Sequence, residues 1–379
     1  MKKAVCISCS DHYDHRLHIA ARCLQARGYD ISYITGDFDH TTKVKFTCSV
    51  ENCTQLPVRP YQKNFSLVRI LSHRGFARDV FRYLESLPEQ PDVLVVLLPP
   101  NFLAHYAAKY KKRHPNVKLI FEIFDMWPET FPSKAKKLLS PAFWVWSGLR
   151  DWNLNKADFI ATECELFRRK LGLTSKKART IFQSAPPLEI PVPKATLQTD
   201  KIELCYLGAI NNIISIPDIA ELIKEIAAHK PVVLHIIGKG EREEEFVNAA
   251  KAAGAEVIFY GAIYDDQQKL DIMNRCHFGL NIMKSSVCVG LTMKSVDYFR
   301  FHLPIINNIP ADTQRLVENA GVGLQMSPDC VQRLLAMTTQ EHLAMRQRVA
   351  PLFAQTFERS VITRQYDEIL DRIGIPRQS

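Results

Sequence analysis

Gly290, Thr292, Lys294 and Asp297 stand together in CVGLTMKSVDYFRFHLPIINN (288–308), ahead of a run otherwise made of Val, Tyr, Phe and Leu. A core helix has no use for such an opening turn. Gly290 and Leu291 make a turn, and Thr292 can cap the helix that follows. The N–H groups of Met293 to Ser295, at the positive end of the helix dipole, then suit a phosphate. Lys294 adds a full charge at that point. Asp297, three residues on and on the same helical face, can take a ribose hydroxyl pair.

A second set lies near the N-terminus. SDHYDHR places His12, Asp14 and Arg16 directly after the first strand pattern, and FEIFDMWPET places Asp125 and Glu129 at another strand end. A carboxylate or imidazole there can take a proton from a substrate hydroxyl, or orient it. Further strand ends read YLGAINN, IIGKGE and YGAIYDD, bringing Gly208, Gly238 and Lys239 to one edge with the Gly290 loop. Ligands of open α/β sheets bind beyond such carboxyl ends.

Elements must hold these residues, and the pattern supplies them. KKAVCISC, YDISYIT, PDVLVVLLPP, VKLIFEIFD and ADFIATE read as strands, with RLHIAARCLQARG and AHYAAKYKKRH as helices between them. The proline-rich APPLEIPVPKATLQTD breaks the alternation as a linker would. It then resumes with IELCYLG, PDIAELIKEIAAHK, VVLHIIG, EREEEFVNAAKAAG and EVIFYG, and TFERSVITRQYDEILDRIG closes the chain as a helix. The expected fold is α/β, two Rossmann-like doubly wound domains. Their expected bounds are 1–187 and 188–355, with a final helix in 356–379.

With 379 residues, 46% hydrophobic and 23% charged, the chain is a folded protein of more than one core. Residues 1–187 hold 29 Lys and Arg against 17 Asp and Glu, and residues 188–379 hold 20 against 23. The basic half suits an anionic partner; with no nucleic-acid reader motif beside the charge, a membrane surface fits better than nucleic acid. KAKKLLSPAFWVWSGLRDWNLNK (134–156) interleaves Trp with Lys, as a headgroup interface does, or as a core helix with a solvated end does. No run is apolar enough to span a bilayer, the start is no signal peptide, and ten scattered cysteines fit a reducing cytoplasm.

Other chemistries fit less well. Gly238-Lys239-Gly240 lacks a third glycine and runs into Glu241, Glu243, Glu244 and Glu245, which repel a pyrophosphate, so no nicotinamide or flavin is expected. Asp37-Phe38-Asp39 is by itself too little for a metal, and Cys6–Cys9 lies largely within a strand, away from a helix start. No metal is expected.

Residues 204–325 resemble the donor domain of GT-B glycosyltransferases, in particular the large retaining family of bacterial polysaccharide synthesis. YLGAI, HIIGKGEREEEFVNAAKAAG, EVIFYGAIYDDQQKLDIMNRCHFGLNIM and GLTMKSVDYFRFHLPIINN carry the likeness. In the first half DHYDHRLHIAARCLQARGYDISYIT, FEIFDMWPETFP and ADFIATECELFRRKL are similar to that family as well. The resemblance implies two domains facing a cleft, with a terminal helix crossing back. It implies a nucleoside-diphosphate sugar, UDP-linked before GDP-linked, as co-substrate in the second domain and no other cofactor. It places a glycan or lipid-linked acceptor in the first, with Arg16 and Glu129 as contacts and Asp125, His12 and Asp14 as catalytic groups. Asp297 matches the second carboxylate of the family's E-x7-E motif, whereas position 289 holds Val instead of the first. The basic pair expected after the YLG strand is absent from AINNIISIPD, leaving Lys284 or Lys294 to meet the phosphates. These departures also admit a catalytically inactive GT-B-like adaptor or a sugar-nucleotide epimerase. The expected place is the cytoplasm, at the inner face of the cell membrane.

Overall fold

The alternation of strand and helix becomes two separate parallel sheets in the computed structural model, which describes residues 2–10, 14–40, 42–63, 66–130, 140–188 and 200–377. The chain forms two compact units, residues 1–182 with 362–379, and residues 183–361.

The first unit runs β1 (Lys2–Ile7), α1 (Asp14–Gln25), β2 (Tyr29–Gly36), β3 (Cys53–Leu56), α2 (Leu67–Ser86), β4 (Val93–Leu98) and α3 (Asn101–Arg113). It continues β5 (Lys118–Ile123), α4 (Ser140–Asp151), β6 (Phe159–Thr162), α5 (Glu165–Lys170) and β7 (Ala178–Thr180). The strands lie in the order β3-β2-β1-β4-β5-β6-β7, all parallel. Burial on both faces explains why β4 is a continuous apolar run. Residues 67–86, which the sequence pattern does not mark, form α2, capped by Ser66 accepting from the Arg69 amide at 3.2 Å.

The second unit runs β8 (Ile202–Leu207), α6 (Ile216–Ala227), β9 (Val232–Ile237), α7 (Glu243–Ala252), β10 (Ala255–Gly261), α8 (Asp266–Met273) and β11 (Phe278–Asn281). Then come α9 (Met293–Arg300), β12 (Ile305–Asn307), α10 (Asp312–Ala320), β13 (Gly323–Gln325), α11 (Cys330–Ala336) and α12 (Thr339–Thr356). Its parallel sheet has the order β10-β9-β8-β11-β12-β13. In each sheet the strand order reverses once, between β1 and β4 and between β8 and β11. Connections leave those two strands in opposite directions, which opens a crevice at their carboxyl ends.

The last helix, α13 (Arg359–Arg372), returns to the first unit. Ile362, Tyr366, Ile369 and Leu370 share one core with Leu17, Ala20, Leu24, Val93 and Val95. Arg27, fully buried, donates to the Asp367 carboxylate, to Asp371 at 2.8 Å and to the Ile375 carbonyl at 2.8 Å.

Candidate functional site

In the second unit the reversal point is built around β8. Gly208 follows the strand at φ +117°, a backbone state that L side chains rarely adopt. A Cβ there would meet only the Lys294 stem, at 3.9 Å. Gly238 serves differently from the phosphate approach its position suggests. A Cβ on it would lie 2.0 Å from the Gly208 carbonyl oxygen, so its missing side chain makes room for the neighbouring loop. Gly240 is held the same way against the Ile210 carbonyl, at 2.2 Å.

α9 begins as its sequence foretells. The Thr292 hydroxyl accepts from the Ser295 amide at 3.1 Å and donates to Asn281 Oδ1 at 2.7 Å. Asn281 Nδ2 donates to Asn307 Oδ1 at 2.7 Å, and Asn307 Nδ2 donates to Gln325 Oε1 at 2.7 Å. A fully bonded amide chain thus ties the carboxyl ends of β11, β12 and β13 to the first turn of α9. The Gly290 carbonyl accepts from the Thr313 amide at 2.8 Å and hydroxyl at 2.9 Å, and Leu291 is buried beside it.

Lys294 points inward under Gly208. Its Nζ donates to Tyr206 Oη at 3.1 Å and lies 4.2 Å from that ring's centroid. Among the described residues no carboxylate pairs with it. Burial pulls its pKa down from 10.5 to about 7. Its charge is desolvated and, among the described residues, held by the neutral Tyr206.

The other donor-side candidates spread around this point. Asp297 is half-buried on α9 and turns toward α8. Burial raises its carboxyl to about 6, opposed by Lys269 and Arg300 and reinforced by Asp266. Those two cations are themselves paired with Asp266, at 3.3 and 2.7 Å. Lys294 and Asp297 share a helix but face different neighbours. Lys239 is exposed at the end of β9, its stem beside Gly261. Lys284 is half-buried, its charge felt by Glu245 on α7.

In the first unit a pocket opens at the reversal point, between Ser8–Ser10 after β1 and Pro99–Pro100 after β4. Phe38, Tyr61, Arg69, His73, Asp125 and Trp127 line it further. Asp125 accepts from the Met126 amide at 2.7 Å and Trp127 Nε1 at 2.6 Å. Burial raises its pKa; hydrogen bonds from Thr130, Trp127 and Met126 oppose the rise. The loop carrying it is fixed from behind. Asn101 Nδ2 donates to the Trp127 carbonyl at 2.8 Å, and buried Arg150 donates to the same carbonyl at 3.1 Å and pairs with Glu129 at 2.7 Å.

Two acceptor-side candidates, Arg16 and Glu129, make ion pairs within the first unit. Arg16 is 3% exposed. It pairs with buried Glu122 on β5 at 2.8 Å and donates to the Ile181 carbonyl at 2.7 Å, so it holds sheet to helix. Glu129 is the counter-charge of Arg150 and positions the loop. His12 lies outside the described residues; of Asp14 only the backbone, at the first position of α1, is described. The paired aspartates also have structural work: Asp37 pairs with Lys45 at 2.6 Å and accepts from the Val58 amide at 2.7 Å, and Asp39 accepts from the Thr42 amide at 3.1 Å.

Sequence pattern passes over Arg69, His73 and Tyr61, and Tyr206 likewise. Arg69, 4% exposed, lies 4.1 Å from the Trp127 ring centroid and 5.4 Å from that of Tyr61. His73 stacks on Trp127 at 5.7 Å and meets Tyr61 edge-on at 5.8 Å. Burial, with Arg69 next, holds its imidazole well below 6.5 and therefore neutral at pH 7. Tyr206 had one signal, its place two residues before the glycine that follows β8.

No family model and no curated protein matches the chain by sequence. Solved structures match it over nearly its whole length. Sucrose-phosphate synthase from Thermosynechococcus elongatus is 12% identical with a TM-score of 0.70, covering 98% of this chain and 99% of that one. The lipopolysaccharide outer core galactosyltransferase WaaB, in its apo form, is 12% identical with a TM-score of 0.65, covering 98% and 99%. HepE from Anabaena, solved in complex with UDP, is 13% identical with a TM-score of 0.65, covering 98% and 100%. At such identities the likeness speaks to architecture, and the architecture is the GT-B fold.

Proposed function

We propose that the chain is a glycosyltransferase taking its sugar from a nucleoside diphosphate, UDP before GDP, and adding it to a hydroxyl of a glycan or lipid-linked glycan in bacterial surface polysaccharide synthesis. The observation that carries this reading is the buried amine of Lys294 under Gly208, paired with no carboxylate among the described residues, at the strand-order reversal where nucleotides bind in open α/β sheets. UDP in HepE and the name of WaaB support the donor class and the glycan acceptor by analogy.

In this reading Lys294 and the opening turn of α9 neutralise the diphosphate as the bond to the sugar breaks, without a metal. Asp297 takes the ribose. Lys239, Lys284 and the Gly290–Leu291 turn frame the remaining phosphate oxygens. Asp125 accepts the proton of the attacking hydroxyl, a role suited to a carboxylate whose proton affinity burial has raised. His12, and Asp14 at the first position of α1, are the further catalytic candidates.

Peripheral contact with an anionic membrane surface belongs to the same reading. Among the described residues no helix is long and apolar enough to cross a membrane. α4 presents Trp144 and Val145, followed by Trp152, and α2 presents Leu67 and Leu71 to solvent, on the basic half of the chain. Such residues insert into a headgroup layer without spanning it.

Calorimetric titration with UDP, GDP and CMP, each with and without EDTA, tests the donor site. Tight binding of one nucleotide, insensitive to EDTA and weakened in Lys294→Met, is expected. Failure of all three to bind would remove the transferase reading and leave the inactive adaptor in its place.

A further inference from the structure

The second sheet leaves one long edge open. Of the four edge strands in the two sheets, β3, β7 and β13 have four, three and three residues, too few to template much pairing, whereas β10 has seven. One side of β10 is bonded to β9; among the described residues nothing bonds the amides and carbonyls of the other side. Its side chains are only partly covered too: Val257, Ile258 and Tyr260 are half-buried, and Phe259 is 41% exposed. Natural sheets blunt such an edge with lysine, proline or a bulge. AEVIFYG holds no lysine and no proline, and its one irregularity, between Phe259 and Gly261, marks only the carboxyl end.

The strand is self-complementary under a two-fold axis. An antiparallel copy turned about Ile258 sets Ile258 against Ile258, Val257 against Phe259 and Glu256 against Tyr260, and like faces of the two sheets then adjoin. Val257 and Phe259 share the face on which α7 packs, so two pairs of β-branched and aromatic side chains form there. Glu256, Ile258 and Tyr260 share the other face with His235, whose Nδ1 lies 2.9 Å from Tyr260 Oη. Arg275, exposed after α8, stands near that face, since its charge is felt by both Tyr260 and His235. Neither Arg275 nor exposed Glu256 is ion-paired among the described residues, and Lys201, which feels the Glu256 charge, is paired with Glu203 at 2.7 Å. In the antiparallel arrangement Glu256 arrives opposite Tyr260 of the other copy, and so beside its Arg275. Charge and apolar surface are answered by the same rotation.

We propose that β10 pairs edge to edge with β10 of a second copy of this chain, antiparallel about Ile258, with a Glu256–Arg275 ion pair on each side of the axis. Such an interface uses the same patch on both copies and closes on itself, so assembly stops at two. None of these residues belongs to the Lys294 site, so the pairing holds or fails separately from the donor.

Sedimentation equilibrium of the full chain tests the pairing. A monomer–dimer equilibrium is expected, weakened at least about tenfold by Ile258→Lys, which sets two ammonium groups against each other at the axis. Glu256→Arg and Arg275→Glu should each weaken it about tenfold, and the two together should restore it, because the ion pairs re-form with their signs exchanged. All three positions are half-buried or exposed, and far-UV circular dichroism checks that each variant is folded. A chain that stays monomeric up to about 100 μM would overturn the proposal. So would a dimer indifferent to Ile258→Lys, or charge reversals that do not rescue each other.

Discussion

Taking the Lys294 ammonium out of water beneath Gly208 lowers its pKa from 10.5 to about 7, and the sign of that shift has two consequences. Between those values the unfolded chain binds a proton that the folded chain does not. Stability of the free protein therefore rises as pH climbs from about 7 toward 10.5, the penalty of the buried charge being complete below 7. A bound diphosphate favours the charged form, so above pH 7 UDP binding takes up a proton and its affinity falls by up to about tenfold per pH unit. Calorimetry in buffers of different ionisation enthalpy reads that proton directly. Lys294→Met should separate the two effects: no loss of melting temperature in the free protein at pH 7, and UDP binding weaker by about 10- to 100-fold. Arg16 gives the opposite case. Arg16→Ala leaves Glu122 buried and unanswered, and denaturant unfolding should show a loss of about 3–5 kcal/mol, largely recovered when Glu122→Gln is added.

Loops that touch leave no room for side chains, and at the element scale Gly238→Ala measures that. Its Cβ would meet the Gly208 carbonyl oxygen at 2.0 Å, between backbones that cannot swing aside. A loss of about 3 kcal/mol or more is expected by urea unfolding, with UDP binding weakened through the displaced Gly208. Elements of this kind were legible where local pattern decides them. β4 is six apolar residues in a row, and the cap at Thr292 is spelled by its own neighbours. Lys294 was legible as a cation at a helix mouth, though not as one buried against Tyr206. α2 was not legible, because Arg69, Ser72 and His73 interrupt its apolar face. Arg69 and His73 are buried where Tyr61 and Trp127, from other elements, close around them, and Ser72 donates to the Arg59 carbonyl. The Arg16 ion pair was not legible for the same reason: its partner Glu122 stands on a distant strand, and pairing across the sheet leaves no local mark.

On the scale of the whole molecule, each unit has its own core, and the first is completed by the chain's final segment. Ile362, Tyr366, Ile369 and Leu370 cover α1, at about 1.5–3 kcal/mol for each buried side chain. Together they rival the entire stability of an ordinary domain, about 5–15 kcal/mol. Deleting residues 362–379 should therefore abolish or sharply lower the melting transition of the first unit while leaving that of the second nearly unchanged. Differential scanning calorimetry of the deleted and full chains, with UDP added to mark the second unit, reads the two separately.

The return of α13 to the first unit also sets a timetable for synthesis. A ribosome makes the strands of the first unit before α13, so the core they share with Leu17, Ala20 and Leu24 stays incomplete until residues past Val361 emerge. The second unit, begun later, holds all of its residues sooner. In the cell the unit begun before the other is thus completed after it, and its unfinished core is open to chaperones until α13 has emerged.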